Sequence, residues 1–171
     1  MKTESTKEIQ AKPKPTLAEV IANHPFFRGM TPEHLRLLSD AAMLKSFKQD
    51  EMIFREGDIA NRFYLVRSGK VALELQEEDR EPQFIQYVGE GDALGWSWLF
   101  PPYYWHFDAR AIEPTWAIFF YGTRLREQCE EDPSLGYELM KRMAGVAVQR
   151  LQATRWQLLE ARRKQGCPNC G

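Results

Sequence analysis

The 171-residue sequence lacks any long hydrophobic run: the longest unbroken apolar stretch, Trp116 to Tyr121, is six residues, against the roughly 20 needed to span a bilayer. It also lacks a charge of one sign. Twenty-three lysines and arginines stand against 24 aspartates and glutamates, a formal net charge of −1. The basic footprint that phosphate backbones select is missing, and nucleic acid is not an expected partner. The opening MKTESTKEIQ carries charges with no apolar stretch behind them, which excludes a secretory signal. Cysteine is scarce: Cys129 stands alone, and Cys167 and Cys170 fall in the last five residues. This is no disulfide framework, and it agrees with a reducing, cytoplasmic compartment.

What is present reads as one folded domain with tails, since 43% hydrophobic and 27% charged residues are ordinary values for a globular chain. Residues 1–15, with the Lys12-Pro13-Lys14-Pro15 stutter, have no periodicity and read as a flexible leader. Leu17, Val20 and Ile21 then recur at helical spacing, and Thr31-Pro32-Glu33 offers a cap, a first-turn proline and an early carboxylate for a second short helix. Between them, Phe26 and Phe27 are expected to be buried anchors.

From Phe47 the texture changes to short β-rich pieces separated by turn residues, the pattern of a sandwich, roll or jelly roll. Arg62 to Arg67 leads through Ser68-Gly69 into Lys70 to Leu75, which predicts a hairpin. Gln76 to Pro82 is a solvated acidic loop, and Gln83–Val88, Phe107–Ile112 and Thr115–Tyr121 supply further strands, so the roll is expected over about residues 47–121. After Gly122 helical periodicity returns, and the segment from about Ser134 to Lys164 contains no proline. One heptad register places Tyr137, Ala144, Leu151 and Leu158 at a, with Met140, Ala147, Thr154 and Ala161 at d. That helix packs either on its twin in a homodimer or along the roll.

Three signatures occur in order: Phe54-Arg55-Glu56-Gly57-Asp58, an F-x-x-G-D; Tyr64 to Gly69, a Y-x-V-x-x-G; and Gly91-Asp92-Ala93-Leu94-Gly95, a G-D-x-x-G. Together they resemble the cyclic nucleotide-binding domain superfamily, the sensor roll of Crp/Fnr-type regulators and of cyclic-nucleotide-dependent kinases. The resemblance runs from about Thr16 to Lys164. It implies a mainly β fold, a double-stranded β-helix or jelly-roll-like β-roll, with two short N-terminal helices and a long C-terminal helix. In transcriptional members a DNA-binding winged helix follows; none is seen after the last helix, and DNA binding by that route is not expected.

In members that bind cyclic AMP or GMP, the resemblance implies a short helix beginning Gly-Glu, whose carboxylate holds the ribose, and an arginine nine residues after that glutamate, on the cyclic phosphate. Carried over without gaps, Gly95 takes the glycine, Trp96 the glutamate and Trp105 the arginine. Indole has one N–H donor and no acceptor, so it replaces neither role. Hydrogen bonds to charged groups contribute about 1.5–3 kcal/mol each, so losing both weakens cyclic-nucleotide affinity roughly a hundredfold to ten-thousandfold. Backbone N–H groups near Ser97, Trp98 and Leu99 still offer an anion some attraction. His106 and Phe107 follow Trp105 closely, whereas strand alternation sends Arg110 outward.

Eleven of the chain's 21 aromatic residues lie between Trp96 and Tyr121. Three readings fit: a roll interior plugged by its own side chains, a stacking pocket for a flat ligand such as a nucleobase or another cofactor, or an exposed patch that docks a partner. The candidate ligand site is therefore Gly95, Trp96, Ser97, Trp98, Leu99, Trp105, His106 and Phe107.

Cys167-Pro168-Asn169-Cys170 is a single C-x-x-C knuckle; zinc would need a second knuckle from a partner subunit, and the other reading is an exposed tail, redox-sensitive or inert. No nucleophile–base pair stands out, and an enzyme is not expected. Two functions lead: a stand-alone regulatory module sensing a small ligand, or a non-catalytic accessory subunit of a multi-subunit redox enzyme, since short members of the superfamily resemble the small accessory subunit of soluble NAD-reducing hydrogenases. A third, a conventional cyclic AMP receptor, needs an acidic residue and an arginine entering the pocket from elsewhere in the chain.

Overall fold

The structure, a computed structural model, describes residues 15–76 and 81–165. The leader up to residue 14, the centre of the acidic loop and the Cys167/Cys170 pair lie outside the described residues. Helix α1 (Leu17–Ala22) is closed by a capping box in which Glu19 N–H donates to Thr16 Oγ1 at 3.3 Å and Thr16 N–H to Glu19 Oε2 at 2.7 Å. Helix α2 (Pro32–Asp40) starts as its sequence predicts, with Thr31 Oγ1 accepting from His34 N–H at 3.2 Å and proline in the first turn. In the 3-10 turn Pro25–Phe27, Phe27 is buried as expected, but Phe26 is only half-buried.

Eight strands follow: β1 (Ala42–Phe47), β2 (Met52–Phe54), β3 (Arg62–Ser68), β4 (Val71–Leu75), β5 (Gln83–Val88), β6 (Ala93–Leu94), β7 (Asp108–Ala111) and β8 (Thr115–Tyr121). They form two four-stranded sheets, β1-β8-β3-β6 and β2-β7-β4-β5, with every pairing antiparallel. The fold is the expected β-roll, with two corrections. The roll begins at Ala42, not Phe47, because Ala42–Phe47 is held in register by β8, from Ala42 opposite Phe120 to Phe47 opposite Thr115. The expected hairpin is absent: β3 pairs with β6 and β8, and β4 with β5 and β7, so the chain crosses between sheets at Ser68-Gly69. Gly69 permits the crossing, with φ of +94° and an ideal Cβ only 2.5 Å from Thr115 Oγ1.

Alternation along β3 and β8 sorts side chains into two cores. Phe63, Leu65, Ile118 and Phe120 face the helices, joined by Ile21, Phe27, Trp98, Leu125, Leu135 and Leu139. Tyr64, Val66 and Ala117 face the roll interior with Phe47, Phe54, Leu94 and Trp105. Because this sheet is covered on both faces, its strands read as near-continuous apolar runs.

Helix α3 (Gly122–Glu131) leads into α4 (Pro133–Gln165), the long C-terminal helix. Its first half is bound to the domain through buried Leu135, Leu139, Met143 and Val146. Buried His34 ties α2 to the α3–α4 junction, its Nε2 lying 3.1 Å from Asp132 Oδ2 and 3.0 Å from Ser134 Oγ. Both partners converge on one ring nitrogen, so this Ser-His-Asp group is a structural tie and not a proton relay. Arg142 secures α4 to the N-terminal segment, Nε donating to the Phe26 carbonyl at 2.7 Å and Nη2 to the Arg28 carbonyl at 2.8 Å. Among the described residues no helix is long and apolar enough to cross a membrane, and no three His, Cys, Asp or Glu side chains form a metal site.

Two predictions arise here. The Glu138 carboxyl is held down to about 2 by its hydrogen bond from Lys141 and then by Arg142. A lowered folded-state value gives stability that is present above the ordinary carboxylate range and lost as pH falls toward 2. The melting-temperature gap between wild type and Glu138→Gln is therefore expected to be open near neutrality and to narrow steadily below about pH 4.5; a gap independent of pH would refute this. Second, burial, and then Asp132 and Glu130, push the Cys129 thiol up to about 11. At pH 8 native Cys129 is expected to resist alkylation and to react on unfolding, as peptide mass mapping would read. Fast labelling of the native thiol would contradict it.

Candidate ligand groove

The segment after β6 turns at Gly95, where φ is +87°, and runs through Trp96 into a 3-10 turn at Ser97–Leu99. Sequence reasoning placed eight site residues in this cassette; the structure sends them to three different places. Trp98 is fully buried in the helix-side core, stacked on Phe63 at 5.1 Å, with half-buried Leu99 against the same core. Arg126 holds the cassette on α3 by donating to the Trp98 carbonyl and lying over the Tyr103 ring at 4.4 Å.

Trp105 goes the other way, into the roll. Its indole is 3% exposed and stacks on Phe54 at 3.9 Å and 13°. Gly95 exists to admit it, since a Cβ there would lie 2.6 Å from the Trp105 ring. The backbone of Trp105 is fixed as well, its N–H donating to the Asp58 carbonyl and its carbonyl accepting from Gly57 N–H, both at 2.9 Å. Trp105 is thus a plug of the roll interior.

The remaining residues meet at the rim. Half-buried Trp96 stacks on His106 at 5.1 Å and 19°. Buried Ser97 Oγ lies 3.0 Å from His106 Nδ1. His106 and Phe107 open onto a groove of about 580 Å³ between the roll and α4. Its roll wall includes Leu73, Leu75, Phe84, Ile85 and Gln86, and its helix wall Arg150, Thr154, Gln157, Leu158 and Ala161.

Arg150 is the groove cation that reading the cassette missed. Its Nη2 donates to the Ala93 carbonyl at 3.0 Å. With the Gln86 amide turned so that its oxygen faces the guanidinium, that oxygen accepts from Nε at 2.9 Å and also from Nη1. Arg110, by contrast, is occupied: on the face of the sheet opposite Leu73 it pairs with buried Glu74, its Nε 3.0 Å from Oε2. Among the described residues the groove lining contains no carboxylate.

Comparison with known proteins decides the family, because the cyclic nucleotide-binding domain model matches residues 44–132, more than half of the chain. The chain belongs to the cyclic nucleotide-binding domain family. A Geobacter metallireducens structure assigned as a cyclic nucleotide-binding protein is similar at 30% identity and a TM-score of 0.73, covering 80% of this chain and 99% of that one. A CRP-like cAMP-activated global transcriptional regulator from Mycobacterium tuberculosis is 24% identical over 126 residues, 74% of this chain and 56% of that protein. The chain thus spans about half the length of that curated relative. The regulatory subunit of a cAMP-independent protein kinase A from Trypanosoma brucei shares the fold at 18% identity and a TM-score of 0.61, covering 82% of this chain and 48% of that one.

Within this cyclic nucleotide-binding domain the framework turns of the fold are present. Turn glycines Gly57, Gly69, Gly91 and Gly95 all adopt positive φ, from +81° to +94°, as the three signatures require. Trp105 lies inside the roll and Trp96 at its rim, and a guanidinium enters the groove from α4.

Proposed function

We propose that this chain is a regulatory module that senses a small ligand in the groove between roll and α4, without the carboxylate–arginine pair by which cyclic nucleotides are held. The observation carrying this reading is Trp105, which fills the space an arginine would need and leaves no group to grip a cyclic phosphate from the roll side. A member of the same fold named as cAMP-independent supports the idea that the fold serves ligands other than cyclic AMP. The module runs from Thr16 through α4, and α4 relays occupancy, since Leu158 is both a groove residue and a position of the heptad seam. It has no enzymatic role in this reading.

Thermal-shift titration of the purified chain tests the function. A ligand at 100 times its dissociation constant adds about 2.7 kcal/mol, or roughly 5–10 °C in a domain of this size. Cyclic AMP and cyclic GMP are expected to give no shift at micromolar concentrations, and a clear shift with either would overturn the reading of Trp96 and Trp105. The apolar outer face of α4 favours a second reading, a docking or accessory subunit of a larger assembly such as a redox enzyme. Co-elution with a specific partner protein and no response to any small ligand would support it.

A further inference from the structure

The groove contains an unmatched charge. Two half-buried arginines that reach across the fold are matched by carboxylates, Arg110 by Glu74 and Arg142 by Glu138, whereas Arg126 on α3 is held by the Trp98 carbonyl and the Tyr103 ring. Arg150 has only neutral partners, the Ala93 carbonyl and the Gln86 amide oxygen, and among the described residues no carboxylate lies within ion-pair distance. A cation withdrawn from water without a counter-charge is unfavourable. Burial draws the Arg150 pKa down, and Asp92, acting from a distance, only partly offsets it.

The inventory of its N–H groups sharpens the point. A guanidinium has five, and three are committed: Nε and one of Nη1 to Gln86, and one of Nη2 to Ala93. One N–H remains on each terminal nitrogen, available to the oxygens of an anion. The surrounding lining is mainly apolar, with Phe107, Phe84, Ile85 and Leu158 prominent, and among the described residues it holds no carboxylate to accept from sugar hydroxyls. A single cation also balances one negative charge better than two.

Resting on the groove reading above, we infer that the ligand is a monoanionic organic acid, its carboxylate on the uncommitted N–H groups of Arg150 and its apolar body against Phe107, Phe84 and Leu158. The anion anchor has thus moved from the cassette to the signalling helix. Ligand binding adds a contact between α4 and the roll where Arg150 already touches β5 through Gln86 and β6 through Ala93.

The test uses the full chain with 2-naphthoate, its uncharged isostere 2-naphthamide, inorganic phosphate, 5′-AMP and cyclic AMP, read by thermal shift and calorimetry. Naphthoate is expected to bind about tenfold to a hundredfold more tightly than naphthamide, the range for a charge-assisted hydrogen-bonded pair. Arg150→Gln should remove that difference while leaving naphthamide binding intact, which also shows that the groove has not collapsed. Arg150→Lys, keeping the charge without the guanidinium, should retain only part of the difference. Equal affinity for acid and amide, tighter binding of phosphate, 5′-AMP or cyclic AMP than of naphthoate, or a preference that survives Arg150→Gln would overturn the inference while keeping the groove as a ligand site. Absence of binding by every probe, the amide included, would overturn the groove reading itself.

Discussion

Trp105→Ala is expected to destabilise the fold by about 3–5 kcal/mol, lowering the melting temperature by roughly 6–20 °C in a domain of this size. The indole is sandwiched between Phe54 and the bare backbone of Gly95, so truncation leaves a cavity that the surrounding strands cannot close. Trp105→Arg, the change that restores the family's phosphate ligand, should be worse still, because it buries an unpaired cation among Phe54, Tyr64 and Leu94. The double variant Trp96→Glu/Trp105→Arg is therefore expected not to become a cyclic AMP receptor. Circular-dichroism melts with and without cyclic AMP check both statements. A Trp105→Arg protein that melts like wild type and is stabilised by cyclic AMP would show the indole to be a substituted ligand contact, not a structural plug.

The same residues show what could be read from the sequence and what could not. Caps and turns were legible because their chemistry is local: Thr16 with Glu19, Thr31 with Pro32, and the positive-φ glycines of the three signatures. Strand β1 was not, since Ala42-Met43-Leu44-Lys45-Ser46-Phe47 has no β-branched residue and is held as a strand by its neighbour β8. The Ser68-Gly69 turn looked like a hairpin because strand pattern and turn residues do not encode which sheet a strand joins.

At the site, the sequence placed Trp96 and Trp105 at the polar anchors but could not say that one lies at the rim and the other inside. Arg150 lies 45 positions after Trp105 in a helix full of charges. One signal could have found it: Leu135, Leu139, Met143 and Val146 mark the core-facing stripe of α4, and the next position on that stripe is Arg150. A charge where the helical period demands an apolar residue points to a function or a partner.

Leu151→Glu is expected to convert a dimer into a monomer without lowering the melting temperature of the fold. Residues Tyr137, Met140, Ala144, Val148 and Leu151 are exposed along α4, Leu151 most of all at 68%. Tyr137, Met140, Ala144 and Leu151 are positions of the predicted heptad seam, while its later members Thr154, Leu158 and Ala161 line the groove; the exposed apolar stripe is of the kind that marks an interaction surface. In a twofold dimer each position occurs twice, so one substitution removes two leucines at about 1.5–3 kcal/mol apiece and weakens association a hundredfold or more. Sedimentation velocity at micromolar concentration reads the change. Because Leu151 lies beyond Val146, the last core contact of α4, loss of the dimer without loss of folding separates an interface effect from damage to the domain. An unaltered dimer in the variant would place the contact elsewhere. A wild type that is monomeric at every concentration would leave this stripe for a different protein, and the accessory-subunit reading would gain what the homodimer loses.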